Sequence, residues 1–335
     1  MKIISFKSLL FTIITWAIAS AVTQVQKASG QQYLQSFKVL PSLTIKSTAK
    51  NSLQSIIDDG AQLEKVASGF EFTEGPLWHP NGFLLFSDIS TDTIYQWTPN
   101  KTRIFRRPSS RANGNTLDRQ GRLIVAEHEN RRVSRTEKNG TVVTLAAQYQ
   151  GKRLNSPNDL VVKSDGSIYF TDPPYGVEKE QEELGFYGVY RLTPDGKLTL
   201  LVKDFVRPNG IAFSPNEKKL YVNDSQAGYT RVYDVKADGT LTNGRIFATQ
   251  KDPSKQGVPD GMKVDSLGNV YSTGPGGVWI FSPTGTLLGK IEVPEPATNV
   301  APGDRDYKTL YITAAKSIYR IRVKIPGIPP GEDES

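Results

Sequence analysis

The feature that most constrains the fold of this chain is a pair of short β-rich runs that recurs six times. In each copy, a turn marked by Gly or Lys leads into an apolar run, and a run with aromatic residues follows. The first runs are NGFLLFSD, QGRLIVAEH, DGSIYFTD, EKKLYVND, LGNVYSTG and YKTLYITA. Their partners are TIYQWTP, RRVSRTE, GVYRLTP, TRVYDVK, GVWIFSP and SIYRIRV. Successive copies begin at intervals of roughly 40 to 50 residues, which is the period of propeller blades.

This repeat predicts an all-β fold, a six-bladed β-propeller built from four-stranded sheets around a central channel. Turn signals such as Pro-Asn, Asp-Gly and Thr-Gly separate the runs. No segment between them shows the periodicity of a long helix. A pair of β-sandwiches is the alternative, which the regular spacing disfavours. We expect the propeller to span residues 65–323, after a polar lead-in segment at 31–64 and before a polar tail at 324–335.

The N-terminus has the layout of a secretory signal peptide. Lys2 and Lys7 precede about fourteen mostly apolar residues, and small residues follow up to Gly30. We therefore expect residues 1–30 to be removed and the protein to be periplasmic or secreted, with no membrane association after cleavage. An uncleaved N-terminal anchor is the alternative. The chain has no cysteine, so its stability must come from a large core without disulfides.

The charge balance argues against nucleic-acid binding. The sequence contains 41 Lys and Arg against 34 Asp and Glu, a formal net charge of +7. These charges are scattered singly, without a long basic block or an aromatic-basic stripe. We expect no nucleic-acid partner, and a weak attraction for anionic small molecules is the more modest interpretation. The oligomeric state is left open.

One polar residue stands about ten residues upstream of each apolar run. The six are Glu74, Asn113, Asn158, Asn209, Asp260 and Asn299. Equivalent positions of successive blades encircle one axis, so we expect these side chains to converge on the channel. Together they form an all-oxygen set of the kind that Ca²⁺ or Mg²⁺ prefers. For a single Asn before a strand, a turn or capping role competes, but two carboxylates facing one channel require a cation or a proton.

Four motifs occur in order at blade spacing: EGPLW, SPNDLVVKSDGSIYFTDPPYG, RPNGIAFSPNEKKLYV and VPDGMKVDSLGNVY. On these motifs the chain resembles the SMP-30/gluconolactonase/LRE-like family over about residues 65–323, and ANGNTLDRQGRLIVAEH resembles its bacterial gluconolactonase-like branch. The resemblance implies a propeller with one central divalent metal ion, held by Glu74, Asn209 and Asp260. Ca²⁺ is the first expectation, and Zn²⁺, Mn²⁺ and Mg²⁺ also suit a mixed carboxylate and amide set.

The resemblance also implies a substrate pocket. Asn158 matches a family position that contacts substrate or metal, and we expect Asn113 and His128 to line the pocket. His128 follows the run LIVAE, at the place that an aspartate takes in neighbouring copies. A proton shuttle or substrate contact and a hydrogen-bonded strand-end histidine are both open for it. For the acidic loop at 173–187, a lid over the pocket and a solvated surface loop are both open.

The function implied is that of a metal-dependent carboxylic ester hydrolase that opens a small-molecule sugar lactone. The ion is expected to polarise the lactone carbonyl, with Asp260 as general base for the attacking water and with Asn158 and Asn113 positioning substrate hydroxyls. The first alternative is a calcium-dependent organophosphate triesterase of the same propeller type. The second is a non-catalytic, metal-dependent sugar-binding propeller. A strictosidine-synthase-like condensing enzyme would leave these metal ligands without a purpose.

Missing motifs narrow the field further. The sequence has no Gly-x-Ser-x-Gly elbow, no cysteine and only two histidines. Hydrolases that use a nucleophile elbow and zinc hydrolases with several histidine ligands are therefore excluded.

Overall fold

The structure is a computed structural model that describes residues 52–331. Its regular elements over this range are strands, apart from two short 3₁₀ helices at Leu53–Ser55 and Lys179–Gln181. No helix in the described range is long and apolar enough to cross a membrane. The signal peptide predicted at 1–30 lies outside the described residues, so its removal and the periplasmic or secreted location stay predictions.

Strand β1 (Glu64–Ser68) comes first, and the strands that follow it build blades one to three. Blade one contains β2 to β5, which are Thr73–His79, Phe83–Asp88, Thr93–Thr98 and Lys101–Arg106. Blade two contains β6 to β9, which are Ala112–Leu117, Leu123–Glu127, Arg132–Thr136 and Val142–Ala146. A small hairpin, β10 and β11, follows at Gln148–Tyr149 and Lys152–Arg153. Blade three contains β12 to β15, which are Leu160–Val162, Ile168–Asp172, Gly188–Leu192 and Leu198–Val202.

The second half of the chain repeats the pattern. Blade four contains β16 to β19, which are Pro208–Phe213, Lys219–Asp224, Tyr229–Val235 and Leu241–Thr249. Blade five contains β20 to β23, which are Met262–Val264, Val270–Gly274, Gly277–Phe281 and Leu287–Glu292. Blade six contains β24 to β26, which are Ala297–Gly303, Thr309–Ala314 and Ser317–Arg322. Every predicted run and its partner coincide with the second and third strands of one blade.

The first strands of the blades form a closed ring. Each of β2, β6, β12, β16, β20 and β24 contacts the first strands of both neighbouring blades, including β24 with β2. Strand β1 completes blade six by pairing antiparallel with β26, where Glu64 lies opposite Arg320 and Ser68 opposite Ser317. The all-β, six-bladed propeller predicted from the repeat is confirmed.

Apolar and aromatic side chains fill the spaces between the blades. Between blades two and three, for example, Phe170 and Tyr190 stack with ring centroids 5.3 Å apart, and Ile124 and Val133 pack in the same cluster. Burying such surface stabilises the fold by about 25 cal/mol per Å². The alternation of the strand sequences thus supplies the core that a chain without disulfides requires.

Both ends of the described chain also pack against the blades. Leu53 and Ile57, from the lead-in segment, are 1% and 4% exposed and lie in the core cluster of blades five and six. Ile57 forms an isolated β-bridge with Val323, and Asp265 forms another with Gly327 of the tail. The lead-in segment therefore contributes core residues ahead of the first strand.

Leu53→Ala is expected to lower the free energy of unfolding by about 2–5 kcal/mol, because it leaves a cavity in the core. The side chain packs so closely that a Cβ on Gly289 would lie 2.9 Å from Leu53 Cδ2. Equilibrium unfolding in urea measures the loss. Leu267→Ala is the control, since Leu267 is 66% exposed and should change the value by about 0.5 kcal/mol or less. A loss for Leu53→Ala no larger than the control's would contradict the packing described.

Candidate active site

The ring of polar residues predicted from the sequence lies where the first strand of each blade begins. Four of its members are the second or third residue of that strand: Glu74, Asn113, Asn209 and Asn299. Asn158 and Asp260 stand two residues before β12 and β20. All are buried except Asp260, which is partly exposed. Equivalent register in the six blades therefore brings these residues to one end of the channel.

In blades one, three and four, an aspartate at the end of the second strand accepts hydrogen bonds from the segment that precedes the ring residue. Asp88 accepts hydrogen bonds from the backbone N–H groups two and three residues before Glu74, both at 3.0 Å. Asp224 accepts two in the same positions before Asn209, at 3.1 and 2.8 Å. Asp172 accepts one, at 2.8 Å, three residues before the ring residue of blade three. Asp88 and Asp224 are structural, because backbone donors satisfy both of their oxygens. Asp172 is satisfied only in part, since its Oδ1 is buried without a hydrogen-bond partner in the described range, and burial raises its pKa to about 7.

In blade two this strand-end position belongs to Glu127. Glu127 ends β7 and pairs with the first residue of β6, as Asp88 pairs with the first residue of β2. Its carboxylate forms ion pairs with Arg106 at 3.0 Å and Arg132 at 2.6 Å. The prediction that His128 takes the strand-end position is therefore wrong by one residue, since a glutamate fills it.

His128 lies beside a predicted site residue. Its Nε2 is 3.2 Å from Asn113 Nδ2. Burial and the charge of Arg111 lower the pKa of His128 to about 4, so the ring is neutral near pH 7 and Nε2 accepts the amide hydrogen. Asn113 Oδ1 is then left buried without a partner among the described residues. An unpaired buried oxygen costs about 1–3 kcal/mol, which marks this atom as a contact for a donor or a cation.

Three carboxylates act on one another in the channel. Burial first, and then the charge of Asp159, raise the pKa of Glu74 to about 7. Burial, and then the charges of Glu74 and Asp159, raise the pKa of Asp260 well above its ordinary value. Asp159 Oδ2 is buried with no hydrogen-bond partner in the described range. Ionising Glu74 and Asp260 at this end of the channel therefore costs free energy, which a bound cation would offset.

Hydrogen bonds between blades connect the ring. Asn299 of blade six donates from Nδ2 to Glu74 Oε2 at 3.2 Å, and the Gly75 N–H donates to the same oxygen at 2.9 Å. The backbone oxygen of Asn158 accepts a hydrogen bond from the Gly114 N–H of blade two at 2.8 Å. Glu74 Oε1 is thereby left for another ligand.

Asn209 and Asp260 meet in the same region. Asn209 Nδ2 donates to Ser225 Oγ at 3.0 Å, and a hydrogen bond from Asn209 lowers the pKa of Asp260 against the effect of burial. The structure therefore brings together Glu74, Asn209 and Asp260, the three residues expected to hold a metal ion. Asn158 bonds through its backbone oxygen to Gly114, the residue after Asn113, and the side chain of His128 contacts Asn113.

Asp159 is not among the site residues predicted from the sequence. The predicted ring has one polar residue per blade and ends at Asn158 in blade three, although the next residue is an acid directly before an apolar strand. That position is the available signal, because a carboxylate entering a buried strand needs a partner. Ser225, which is buried beside Asn209, is not predicted either.

Tyr175, in the loop of blade three, contacts the candidate site. Tyr175 is 42% exposed, and its hydroxyl lies 3.5 Å from Asn209 Nδ2. Burial and the charge of Asp260 raise the pKa of this hydroxyl to about 12. The guanidinium of Arg207 stacks over the ring at 5.5 Å. The acidic run that follows, 178–183, is mostly exposed, so Tyr175 contacts the site while the run faces solvent.

The donor set suits a hard cation. Within residues 52–331, no three or more acidic, histidine or cysteine side chains form a metal site by themselves, so an ion here must also use amide oxygens. Glu74 and Asp260 supply two carboxylates that repel each other, and Asn209 supplies an amide. Such oxygen sets bind Ca²⁺, Mg²⁺ or Mn²⁺, and a cation would remove the repulsion.

Comparisons with known proteins agree on one family. A family model described as the SMP-30/Gluconolactonase/LRE-like region matches residues 72–316. The gluconolactonase of Zymomonas mobilis is 37% identical over 306 residues, which is 82% of this chain and 85% of the relative. A pentonolactonase of Haloferax volcanii is 29% identical over 253 residues, 72% and 81% of the two chains. The solved structure of a gluconolactonase from Xanthomonas campestris has a TM-score of 0.76 at 34% identity, covering 83% and 94%.

In chelator-treated protein, Glu74→Gln is expected to raise Tm at pH 8 and to change it less at pH 5. The pKa of Glu74 in the folded chain is about 7, above its ordinary value. Stability is therefore present while Glu74 is protonated and is lost as pH rises through 7. Gln keeps an acceptor for the Gly75 N–H and removes the charge. Thermal melts at both pH values measure the difference.

The control for this prediction is Glu137→Gln. A hydrogen bond to Arg135 lowers the pKa of Glu137, so removing this charge should not raise Tm at pH 8. A Tm for Glu74→Gln below that of the parent at pH 8 would contradict a destabilising charge in the channel.

Proposed function

The chain belongs to the SMP-30/gluconolactonase/LRE-like family, and we propose that it is a sugar lactonase. Such a carboxylic ester hydrolase opens the ring of a small-molecule sugar lactone with water. The observation that carries this proposal is the meeting of Glu74, Asn209 and Asp260 at one end of the propeller channel. The names of the relatives support lactones as the class of substrate.

We also propose one divalent metal ion as cofactor, held by Glu74, Asn209 and Asp260. Ca²⁺ is the first candidate, and Zn²⁺, Mn²⁺ and Mg²⁺ are the others. When bound, the ion would supply Lewis-acid polarisation of the lactone carbonyl and a lowered pKa for water. The support for it is that burial and neighbouring carboxylates raise the pKa values of Glu74 and Asp260, an effect that a bound cation would reverse.

Asp260 is the proposed general base. Its carboxylate lies at the candidate site beside Glu74 and Asn209, and an ionised carboxylate there can accept a proton from the attacking water. The water oxygen forms a bond to the carbonyl carbon, and the bond from that carbon to the ring oxygen breaks. The proton taken by Asp260 ends on the ring oxygen, which leaves as a hydroxyl group of the open hydroxy acid.

Asn113, His128 and Asn158 are the proposed substrate contacts. Asn113 Oδ1, buried and without a partner among the described residues, accepts a hydrogen bond from a substrate hydroxyl. His128 fixes the Asn113 amide through its neutral ring. A histidine with a pKa of about 4 is a poor proton carrier near pH 7, so we assign His128 to this orientation rather than to a proton shuttle.

The location of the activity is proposed on the N-terminal pattern alone. Two lysines, an apolar stretch and small residues up to Gly30 favour export. We therefore place the reaction in the periplasm or outside the cell, where a sugar lactone would be the partner and nucleic acid would not.

Chelator-treated protein is expected to regain hydrolysis of glucono-δ-lactone when Ca²⁺, Mg²⁺, Mn²⁺ or Zn²⁺ is returned. Acid release is measured against a blank that contains the metal without protein. Glu74→Gln is expected to lose the activity that the metal restores, because it removes a charged ligand. Turnover that chelation leaves unchanged would remove the metal from the proposal.

The same preparations separate the alternatives. A phosphotriester assayed in parallel tests the organophosphate triesterase, and calorimetric binding of gluconate tests the sugar-binding propeller. Hydrolysis of the phosphotriester without hydrolysis of the lactone would replace the lactonase. Metal-dependent binding without turnover would replace it with a binding protein.

Asp260→Asn is expected to lower kcat by about 10²–10⁴-fold, the usual contribution of a general base. The assay uses metal-saturated protein so that a change in metal affinity does not enter. Asp265→Asn is the control, because Asp265 is a buried acid at the other end of β20, bonded to Asn269, and should keep its kcat. Near-normal turnover of Asp260→Asn would remove Asp260 from the role of base.

A further inference from the structure

Ser225 connects Asn209 to the residue before Asp260 through one hydroxyl group. Asn209 Nδ2 donates to Ser225 Oγ at 3.0 Å. Ser225 Oγ in turn donates to the backbone oxygen of Pro259 at 2.6 Å, directly before Asp260. The side chain of Ser225 is 7% exposed, so water does not compete freely for these bonds. A single buried hydroxyl thus contacts both sides of the site.

These bonds determine which way the Asn209 amide points. A serine hydroxyl carries one proton, and Ser225 uses it on the carbonyl of Pro259. Ser225 Oγ can therefore only accept from Asn209, which must present its NH₂ group. The hydroxyl of Tyr175 lies on the same side, 3.5 Å from Nδ2. The bonds of the amide to both hydroxyl groups start from nitrogen, as does its hydrogen bond to Asp260. Among the described residues, Oδ1 has no hydrogen-bond partner and is the atom that can bind a cation.

We propose that Ser225 is a positioning residue for the metal ion, one that holds Asn209 with Oδ1 toward the ion. The inference rests on the proposed function, in that it requires an ion at Asn209. If the side-chain amide of Asn209 rotated by 180°, its NH₂ group would face the ion, and the partial positive charge of that group would repel a cation. Hydrogen-bond partners that orient a metal ligand change metal affinity by about 10–100-fold, and that is the expected effect of Ser225.

Asn209 differs in this respect from the carboxylate ligands. Glu74 Oε2 accepts hydrogen bonds from Gly75 and Asn299, but its two oxygens are equivalent, so rotation exchanges one ligand atom for another. An amide has only one oxygen. The effect of Ser225 should therefore depend on the amide and should vanish when residue 209 is a carboxylate.

The experiment is a double-mutant cycle on Ca²⁺ affinity in the full chain. Calorimetry on chelator-treated protein gives Kd for the parent, Ser225→Ala, Asn209→Asp and the double variant. Ser225→Ala is expected to raise Kd about 10–100-fold with Asn209 present. In the Asn209→Asp background, it is expected to change Kd by about twofold or less, as for sites that do not interact.

Ser214→Ala is the matched control. Ser214 is 8% exposed, follows the first strand of the same blade at its other end, and bonds to Asn216 and the backbone of Lys219. The Ser214→Ala variant loses a hydroxyl that is comparably buried, and it is expected to keep the parent's Kd for Ca²⁺. Melting of the metal-free variants shows that each is folded before its Kd is compared.

Each outcome of these measurements supports or overturns a stated part of the proposal. A parent-like Kd for Ser225→Ala overturns the inference. An equal loss in both backgrounds also overturns it, because Ser225 would then act through the Pro259 backbone and not through the amide. If calorimetry finds no binding of Ca²⁺, Mg²⁺, Mn²⁺ or Zn²⁺ to the parent protein, the proposed metal ion and the inference about Ser225 are both overturned. A parent that binds Ca²⁺ but does not hydrolyse a lactone overturns the activity and leaves the role of Ser225 standing.

Discussion

The pairing of β1 with β26 closes the ring of blades, and the position of every candidate site residue depends on that closure. An open row of sheets would leave two exposed edges and would spread the first strands apart. Closure instead places blade one beside blade six, where Asn299 donates to Glu74 at 3.2 Å. The segment before β2 connects the two blades on either side of this junction. Residues near both ends of the described chain therefore share one sheet and support one site.

The repeat predicts the blades because strand alternation and turn residues are local signals, and the structure confirms each predicted run as a strand. The ring of polar residues is predicted for the same reason, since equivalent register implies equivalent position. Asp159 is not predicted as a site residue from this register, because β12 begins only at Leu160. Before a strand begins, neighbouring side chains need not point to opposite faces, so Asp159 joins the acidic cluster beside Asn158. The burial of Leu53 is not predicted either, because Leu53 lies in a short segment without periodicity and is buried by tertiary contacts alone.

The acidic residues near the ring differ in the groups that surround them. Asp88 and Asp224 each accept two backbone hydrogen bonds at the strand ends, and Glu127 pairs with two arginines. Those charges are satisfied within the protein and hold the entry to the ring. Glu74 and Asp260 lie in the channel with raised pKa values, which means that ionising them opposes folding. In the channel, a cation or a substrate can compensate for that cost.

The use of amides in the ring follows from that cost. Carboxylates at all six positions would repel one another too strongly in a buried channel, whereas an asparagine supplies an oxygen without charge. The amide, however, must be turned the right way, and its own residue cannot ensure this. Neutral His128 orients Asn113, and we infer that Ser225 does the same for Asn209. Neither residue belongs to the repeated ring. The side chains just outside the ring therefore decide which atoms the ring presents, and relatives with the same ring can differ in metal affinity and substrate through those neighbours alone.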